Sequence, residues 1–266
     1  MTTFPQVVTI AGSDSDGSAG MQADLHGFFI RDVYGASILT AAVAGNSYGI
    51  HDAVNLPTSF IDSEFKALYD DFEILAAKTG MLANAEIIGN VVKNLKTYHK
   101  GFLVVDPVIM TKHGNQLLEE AAYESMRKDL IPLADVITPN FYEAQKLAEM
   151  TINSDEDQIL AAEILQKLGA KNIVVKGCHD DDTQALVKDY LLLENGQGQF
   201  LTENYVKTDR INGTGDTFAA VITAELAKNP DVERAVKLAK SVVHAAIASP
   251  IEVGHQFGPI NHFTGK

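Results

Sequence analysis

Cysteine is nearly absent from this chain: Cys178 stands alone among 266 residues. An internal disulfide is therefore excluded, and a reducing cytoplasm is the expected setting. Positive charge is also scarce, with 21 Lys and Arg against 35 Asp and Glu and a net charge of -14. That balance argues against nucleic acid or an anionic membrane surface as a partner. No apolar run is long enough to span a membrane, and no basic stretch precedes an apolar one at the N-terminus, so no signal peptide is expected. There is no Walker A sequence, and the glycine spacing after the first predicted strand does not match the dinucleotide fingerprint. An anionic substrate would need local help from N–H groups, a few lysines and a metal ion.

What the chain does have is a regular alternation of β-type runs and amphipathic helical segments. Strands are predicted at Gln6–Gly12, Ala36–Ala44, Ala77–Leu82, Phe102–Ile109, Val136–Asn140 and Asn172–Gly177, and a hairpin at Asp189–Val206 around Asn195-Gly196. Helices are predicted at Met21–Arg31, Ser59–Phe72, Ala85–Leu95, Asp155–Leu168 (stopped by Gly169), Thr217–Lys228 and Asp231–Ala248. Continuous apolar strands alternating with helices imply an α/β fold with a mostly parallel sheet covered on both faces. With no linker or repeat, one domain over 1–266 is expected. Ligands in such sheets sit beyond the C-terminal ends of the strands.

Polar residues gather at those ends. Asn212-Gly213-Thr214-Gly215-Asp216-Thr217-Phe218 puts two glycines and a carboxylate near the start of a long helix. Gly213 and Gly215 permit a tight turn that exposes N–H groups, and the helix dipole favours an anion there. A nest of N–H donors beside a base suits phosphoryl transfer to an alcohol, although Asp216 as a plain helix cap is the other reading. Strand one ends in a loop of small and acidic residues, Gly12 to Gly20, which lets a flat ligand approach the backbone or merely makes a tight connection. Asp106 ends the central strand, where a carboxylate is costly unless it meets a metal or a donor. Glu143 falls in the first turn of the helix after Thr138-Pro139-Asn140; with Asp106 it could hold Mg²⁺ through water, or simply favour the dipole. Lys176 is a phosphate contact or a solvated surface lysine.

Taken together, Thr9-Ile10-Ala11-Gly12-Ser13-Asp14-Ser15, Gly20-Met21-Gln22-Ala23-Asp24-Leu25, Lys78-Thr79-Gly80-Met81-Leu82, Asp106-Pro107-Val108, Thr138-Pro139-Asn140 through Glu143-Ala144, Val175-Lys176-Gly177 with His179, and Gly213-Thr214-Gly215 resemble the ribokinase-like superfamily. The resemblance spans nearly the whole chain. It is nearest to the branch of hydroxymethylpyrimidine/phosphomethylpyrimidine kinases and pyridoxal kinases. It implies a three-layer α/β/α fold, ATP as phosphoryl donor, Mg²⁺, and a heterocyclic alcohol as acceptor. By the same resemblance Asp216 is the catalytic base and Gly213, Thr214 and Gly215 form the anion hole. Lys176, Asn140 and Thr138 lie on the ATP side, and Asp106 and Glu143 at the metal. Gly12, Asp24, Val43, Gly45, Asn46, Met81 and Val108 line the acceptor pocket, with Asn46 as a candidate to act for the residue missing at Gly45. The tail from Gly254 to His262 is placed near the sheet ends, and a homodimer is implied by analogy.

Two departures from that pattern bear on the acceptor. The pyrimidine kinases usually carry Cys where this chain has Asp216, and Gln where it has Gly45. Both changes point toward a pyridine. A two-cysteine subtype of pyridoxal kinase, however, would need cysteines at Thr111 and Asp216, which are absent. The pyrimidine kinases are the nearer match, with pyridoxal or pyridoxine kinase as the alternative and a non-catalytic binder of a vitamin or nucleotide behind both.

Overall fold

A computed structural model describes residues 3–109, 120–179 and 183–265. Thr111 lies outside the described residues. Among the described residues nine strands form one sheet: β1 (Gln6–Asp14), β2 (Tyr34–Asn46), β3 (Gly49–Asn55), β4 (Ile74–Thr79), β5 (Phe102–Val105), β6 (Val136–Ile137), β7 (Asn172–Val175), β8 (Leu186–Leu192) and β9 (Gly198–Asn204). Their order is β3-β2-β1-β4-β5-β6-β7-β8-β9. The six strands from β2 to β7 in that row run parallel, while β3 at one edge and β8–β9 at the other are antiparallel.

One face of the sheet packs against α2 (Thr58–Asp71), α3 (Ala85–Tyr98), α4 (Glu120–Ser125), α5 (Phe141–Ala148) and α6 (Asp155–Lys167), with Ile10, Phe65, Ile88, Met126 and Leu165 fully buried between them. The other packs against α1 (Gly20–Ile30), α7 (Thr214–Lys228) and α8 (Val232–Ala248), around Val104, Val174, Ile222 and Val236. This is the three-layer α/β/α arrangement expected of alternating apolar strands and helices. Local signals act as chemistry dictates. Asn84 and Ser154 cap α3 and α6 with side-chain oxygens, and Gly169 leaves α6 at φ +114°, a backbone state few other residues adopt.

Four strands stop earlier than predicted: β4 at Thr79, β7 at Val175, and two more that end ahead of a proline. β5 ends at Val105, before Asp106-Pro107, and β6 ends at Ile137, before Thr138-Pro139. Proline has no N–H to give a ladder, so the chain leaves the sheet there and its polar residues are released into the crevice. The chain fills β1 and β2 in one direction and then returns to lay β4 to β7 on the other side of β1. The reversal point, between β1 and β4, is where α/β sheets open for ligands.

Candidate active site

The turn at Asn212–Asp216 is built as a donor nest. Gly213 has φ +79°, and a Cβ there would lie 2.2 Å from the Ser18 carbonyl oxygen, so only glycine fits. Helix α7 starts at the next residue. The N–H and the hydroxyl of Thr214 both go to the Ile211 carbonyl, at 3.3 and 2.6 Å. Among the described residues no acceptor takes the N–H of Gly215 or Asp216, so these two remain to meet an anion. Gly215 faces the polar corner directly: a Cβ there would lie 3.4 Å from Lys176 Nζ and 3.5 Å from Asp106 Oδ2.

That corner is held by strand ends. Lys176 Nζ is 3.6 Å from Asp106 Oδ1, and the Thr138 hydroxyl donates to the same oxygen at 3.4 Å. The Lys176 turn is fixed from behind: Asp189 on β8 accepts from the Gly177 N–H at 2.9 Å and from Lys240 Nζ on α8 at 2.7 Å. Asn140 and Glu143 form a capping box for α5. The Asn140 side chain accepts from the Glu143 N–H, and Glu143 accepts from the N–H groups of Asn140 and Ile109 at 2.8 and 3.2 Å. The capping reading and the metal reading of Glu143 are thus compatible, since each carboxylate oxygen keeps a lone pair. Burial, reinforced by the charge of Asp106, pushes the Glu143 carboxyl up to about 8, with Lys176 opposing. Two buried carboxylates in mutual repulsion fit a divalent cation, which takes one or two protein carboxylates and completes its shell with water and phosphate. Among the described residues no three His, Cys, Asp or Glu side chains gather as a self-sufficient metal cage.

On the acceptor side Gly12 and Met81 face each other across the β1/β4 crevice; a Cβ on Gly12 would lie 2.5 Å from Met81 Cε. Val43 lies in register with Asp14 on β1, and Val108 follows Asp106 with its N–H on the Asp106 carbonyl at 2.9 Å. The backbone of Gly45 is already engaged. The Ser15 hydroxyl donates to its carbonyl at 2.8 Å and lies 2.9 Å from its N–H. Asn46 accepts from the Tyr48 N–H at 2.9 Å, which ties its carbonyl to its own turn. The tail crosses beside them. Ser47 accepts from the N–H groups of Phe257 and His255, Arg210 donates to the Val253 carbonyl, and Asn212 pairs with Pro259. A cavity of about 260 Å³ lies between tail and turn, bordered by Asp16, Ser18, Asn46, Tyr48, His255 and Phe257.

Asp24 is fully buried rather than exposed in a pocket. Its two oxygens accept from Thr9 Oγ1 at 2.5 Å and Lys78 Nζ at 2.7 Å. Lys78, for which no role is expected from the motifs, also reaches Asp216 Oδ1 at 3.3 Å. Burial alone would lower the Lys78 pKa; the carboxylates of Asp24, Asp216 and Asp106 reverse this and hold it above the usual lysine range. Burial raises the Asp24 carboxyl to about 7, with Lys78 opposing and Asp216 adding to the rise. The available signal was a lysine inside an otherwise apolar strand, Ile74 to Thr79.

The chain and its fold are similar to those of known vitamin kinases. The profile of the family described as phosphomethylpyrimidine kinase matches residues 14–261. The hydroxymethylpyrimidine/phosphomethylpyrimidine kinase of Haemophilus influenzae is 44% identical over 264 residues, covering 99% of this chain and 98% of that one. The ADP complex of Bacillus subtilis pyridoxal kinase superposes with a TM-score of 0.91 at 34% identity, covering 98% of each chain. The phosphomethylpyrimidine kinase of Clostridium difficile superposes with a TM-score of 0.80 at 37% identity, over 91% of this chain and 99% of that one.

Proposed function

We propose, for a chain that belongs to the phosphomethylpyrimidine kinase family and is a phosphotransferase, that ATP phosphorylates the hydroxymethyl group of hydroxymethylpyrimidine, and then its monophosphate, within thiamine biosynthesis. The chemistry rests on one observation: the open N–H groups of Gly215 and Asp216 share a corner with Lys176 and Asp106, beside the carboxylate of Asp216. The acceptor class rests on the identity to the pyrimidine kinases across nearly the whole chain. The donor is supported by the similar kinase captured with ADP.

In this reading the acceptor ring lies by Gly12, Val43, Met81 and Val108, with its hydroxyl toward Asp216. Asp216 takes the hydroxyl proton as the oxygen bonds to the γ-phosphorus and the bond from that phosphorus to the ADP oxygen breaks, its electron pair leaving with ADP. The Gly215 and Asp216 N–H groups meet the charge that builds on the phosphoryl oxygens. Lys176 holds the phosphates, with Thr138 and Asn140 flanking. Asp106 and Glu143 would hold Mg²⁺, which when bound neutralises phosphate charge. Asp216→Asn is expected to lower turnover at least ~100-fold while ATP still binds; near-normal turnover in a folded variant would refute the role.

Pyridoxal or pyridoxine is the second reading. It is favoured by Gly45, which offers no side chain to a pyrimidine, and by the fold's close match to a pyridoxal kinase. ATP consumption measured in parallel with hydroxymethylpyrimidine, its monophosphate, pyridoxal and pyridoxine separates the two; turnover of the monophosphate belongs to the first alone. The chain acts as one kinase domain in the cytoplasm. It pairs with a second copy, for which the edge strand β3, exposed along its whole length with Ile50 and Val54 outward, supplies a surface.

A further inference from the structure

The reaction described above makes no use of Lys78, yet its side chain is fully buried. It sits on β4 level with Thr9 of β1 and Val104 of β5, at the point where the strand order reverses. An ammonium in such a place is costly unless it is paired, and a methionine would fill the same space without that cost. Gly80 clears room for the head, since a Cβ there would come within 2.9 Å of Nζ. What the ammonium touches is therefore what explains it.

It touches one carboxylate from each of two helices. Asp24 of α1 is bonded through both oxygens, one to Lys78 and the other to Thr9. Asp216 of α7 is partly open, its side chain 18% exposed. Among the described residues Lys78 is the only hydrogen-bond partner of the Asp216 carboxylate. Thr9 thus holds Asp24, Asp24 holds Lys78, and Lys78 holds one oxygen of Asp216. Without that tether, an aspartate in a first helical turn is drawn to the N–H groups and positive dipole end of its own helix. Here those N–H groups are the anion site.

We propose that Lys78 is a positioning residue for phosphoryl transfer: its ammonium pins one oxygen of Asp216, keeps that carboxylate off the N–H groups of its own turn, and leaves the other oxygen to receive the acceptor proton. The proposal rests on the reading of Asp216 as the base.

The test compares the Asp24→Asn protein with Lys78→Met/Asp24→Asn. The double change removes the buried pair as a unit, so neither partner is left as an unpaired charge, as Lys78→Met alone would leave Asp24. With hydroxymethylpyrimidine and Mg-ATP at saturation, kcat is expected to be about 10- to 100-fold lower in the double variant, with KM for ATP within about twofold. Adding Asp216→Asn to each protein should abolish the difference between them, because the group that Lys78 positions is gone. An unchanged kcat in the folded double variant would overturn the proposal. So would a loss confined to KM, or a Lys78 effect that persists in full beside Asp216→Asn. If Asp216→Asn alone turns over normally, the base assignment has failed; if that variant is inactive while the double variant matches Asp24→Asn, only the role of Lys78 has failed.

Discussion

Gly213→Ala tests whether the anion turn and the loop after β1 are one unit. Gly213 is left-handed at φ +79°, which costs an L-residue about 1–2 kcal/mol. The new methyl carbon would also lie 2.2 Å from the Ser18 carbonyl oxygen and 3.2 Å from Ala23 Cβ. Backbone cannot swing aside like a lysine tip. Bringing the first contact out to even 3.0 Å takes a shift of about 0.8 Å in the turn or in the loop, and such overpacking costs a further 1–3 kcal/mol or so. The total is about 2–5 kcal/mol, a fall in Tm of about 5–15 °C for a chain of this size. A displacement near 1 Å at the reacting centre is also expected to lower kcat about 100-fold. Gly215→Ala is the contrast. Its methyl would meet Lys176 Nζ and Asp106 Oδ2 at 3.4 and 3.5 Å, ordinary contacts, so Tm should move by no more than about 2 °C while the phosphate corner is crowded. Thermal melts and ADP release measured on both proteins decide the matter. A Gly213→Ala protein that melts and turns over like the parent would show that the two loops do not constrain each other.

Other outcomes follow from single observations. His262, packed against His26 and bonded to the Thr217 hydroxyl at 2.7 Å, has its pKa pulled down to about 4, mainly by burial. Its stabilising contribution is therefore present above about pH 6.5 and lost as pH falls toward 4, worth about 2 kcal/mol after allowance for partial exposure; denaturant melts of His262→Phe should lack that share of the acid slope. Among the described residues the buried Thr79 hydroxyl has no hydrogen-bond partner, so Thr79→Val should raise stability by about 1 kcal/mol in urea titration, and a loss above that size would mean the hydroxyl is satisfied. Lys240→Met strands the buried Asp189 carboxylate and should cost about 3–5 kcal/mol, with a raised KM for ATP through the Gly177 turn; an unchanged KM would uncouple that pair from Lys176.

The parts of the site that were legible in the sequence are those whose chemistry is local. Asn212 to Phe218 encodes its own turn, because Gly213 supplies the left-handed residue and Asp216 falls in the first helical turn whatever surrounds them. The Asn140–Glu143 box is equally local, and Asp106-Pro107 marks a strand end by covalent structure alone, although the apolar run through Ile109 hid where the ladder stops. Strand β3 was not legible, since Gly49–Asn55 is exposed on both faces and no burial imposes an alternating pattern on it. Lys78 was visible only as an oddity in an apolar strand. Its partners lie 54 and 138 residues away, and nothing in the spacing of Asp24, Lys78 and Asp216 brings them together. The adjacency of β1 and β4 does so, by setting Thr9 beside Lys78 under the two helices that carry the carboxylates. A sequence therefore names the groups at the strand ends, whereas the crossover that reverses the strand order decides which of them share a charge. By that argument the residues worth changing next are the buried ones behind the turn, where a substitution alters the position of Asp216 without touching ATP or acceptor.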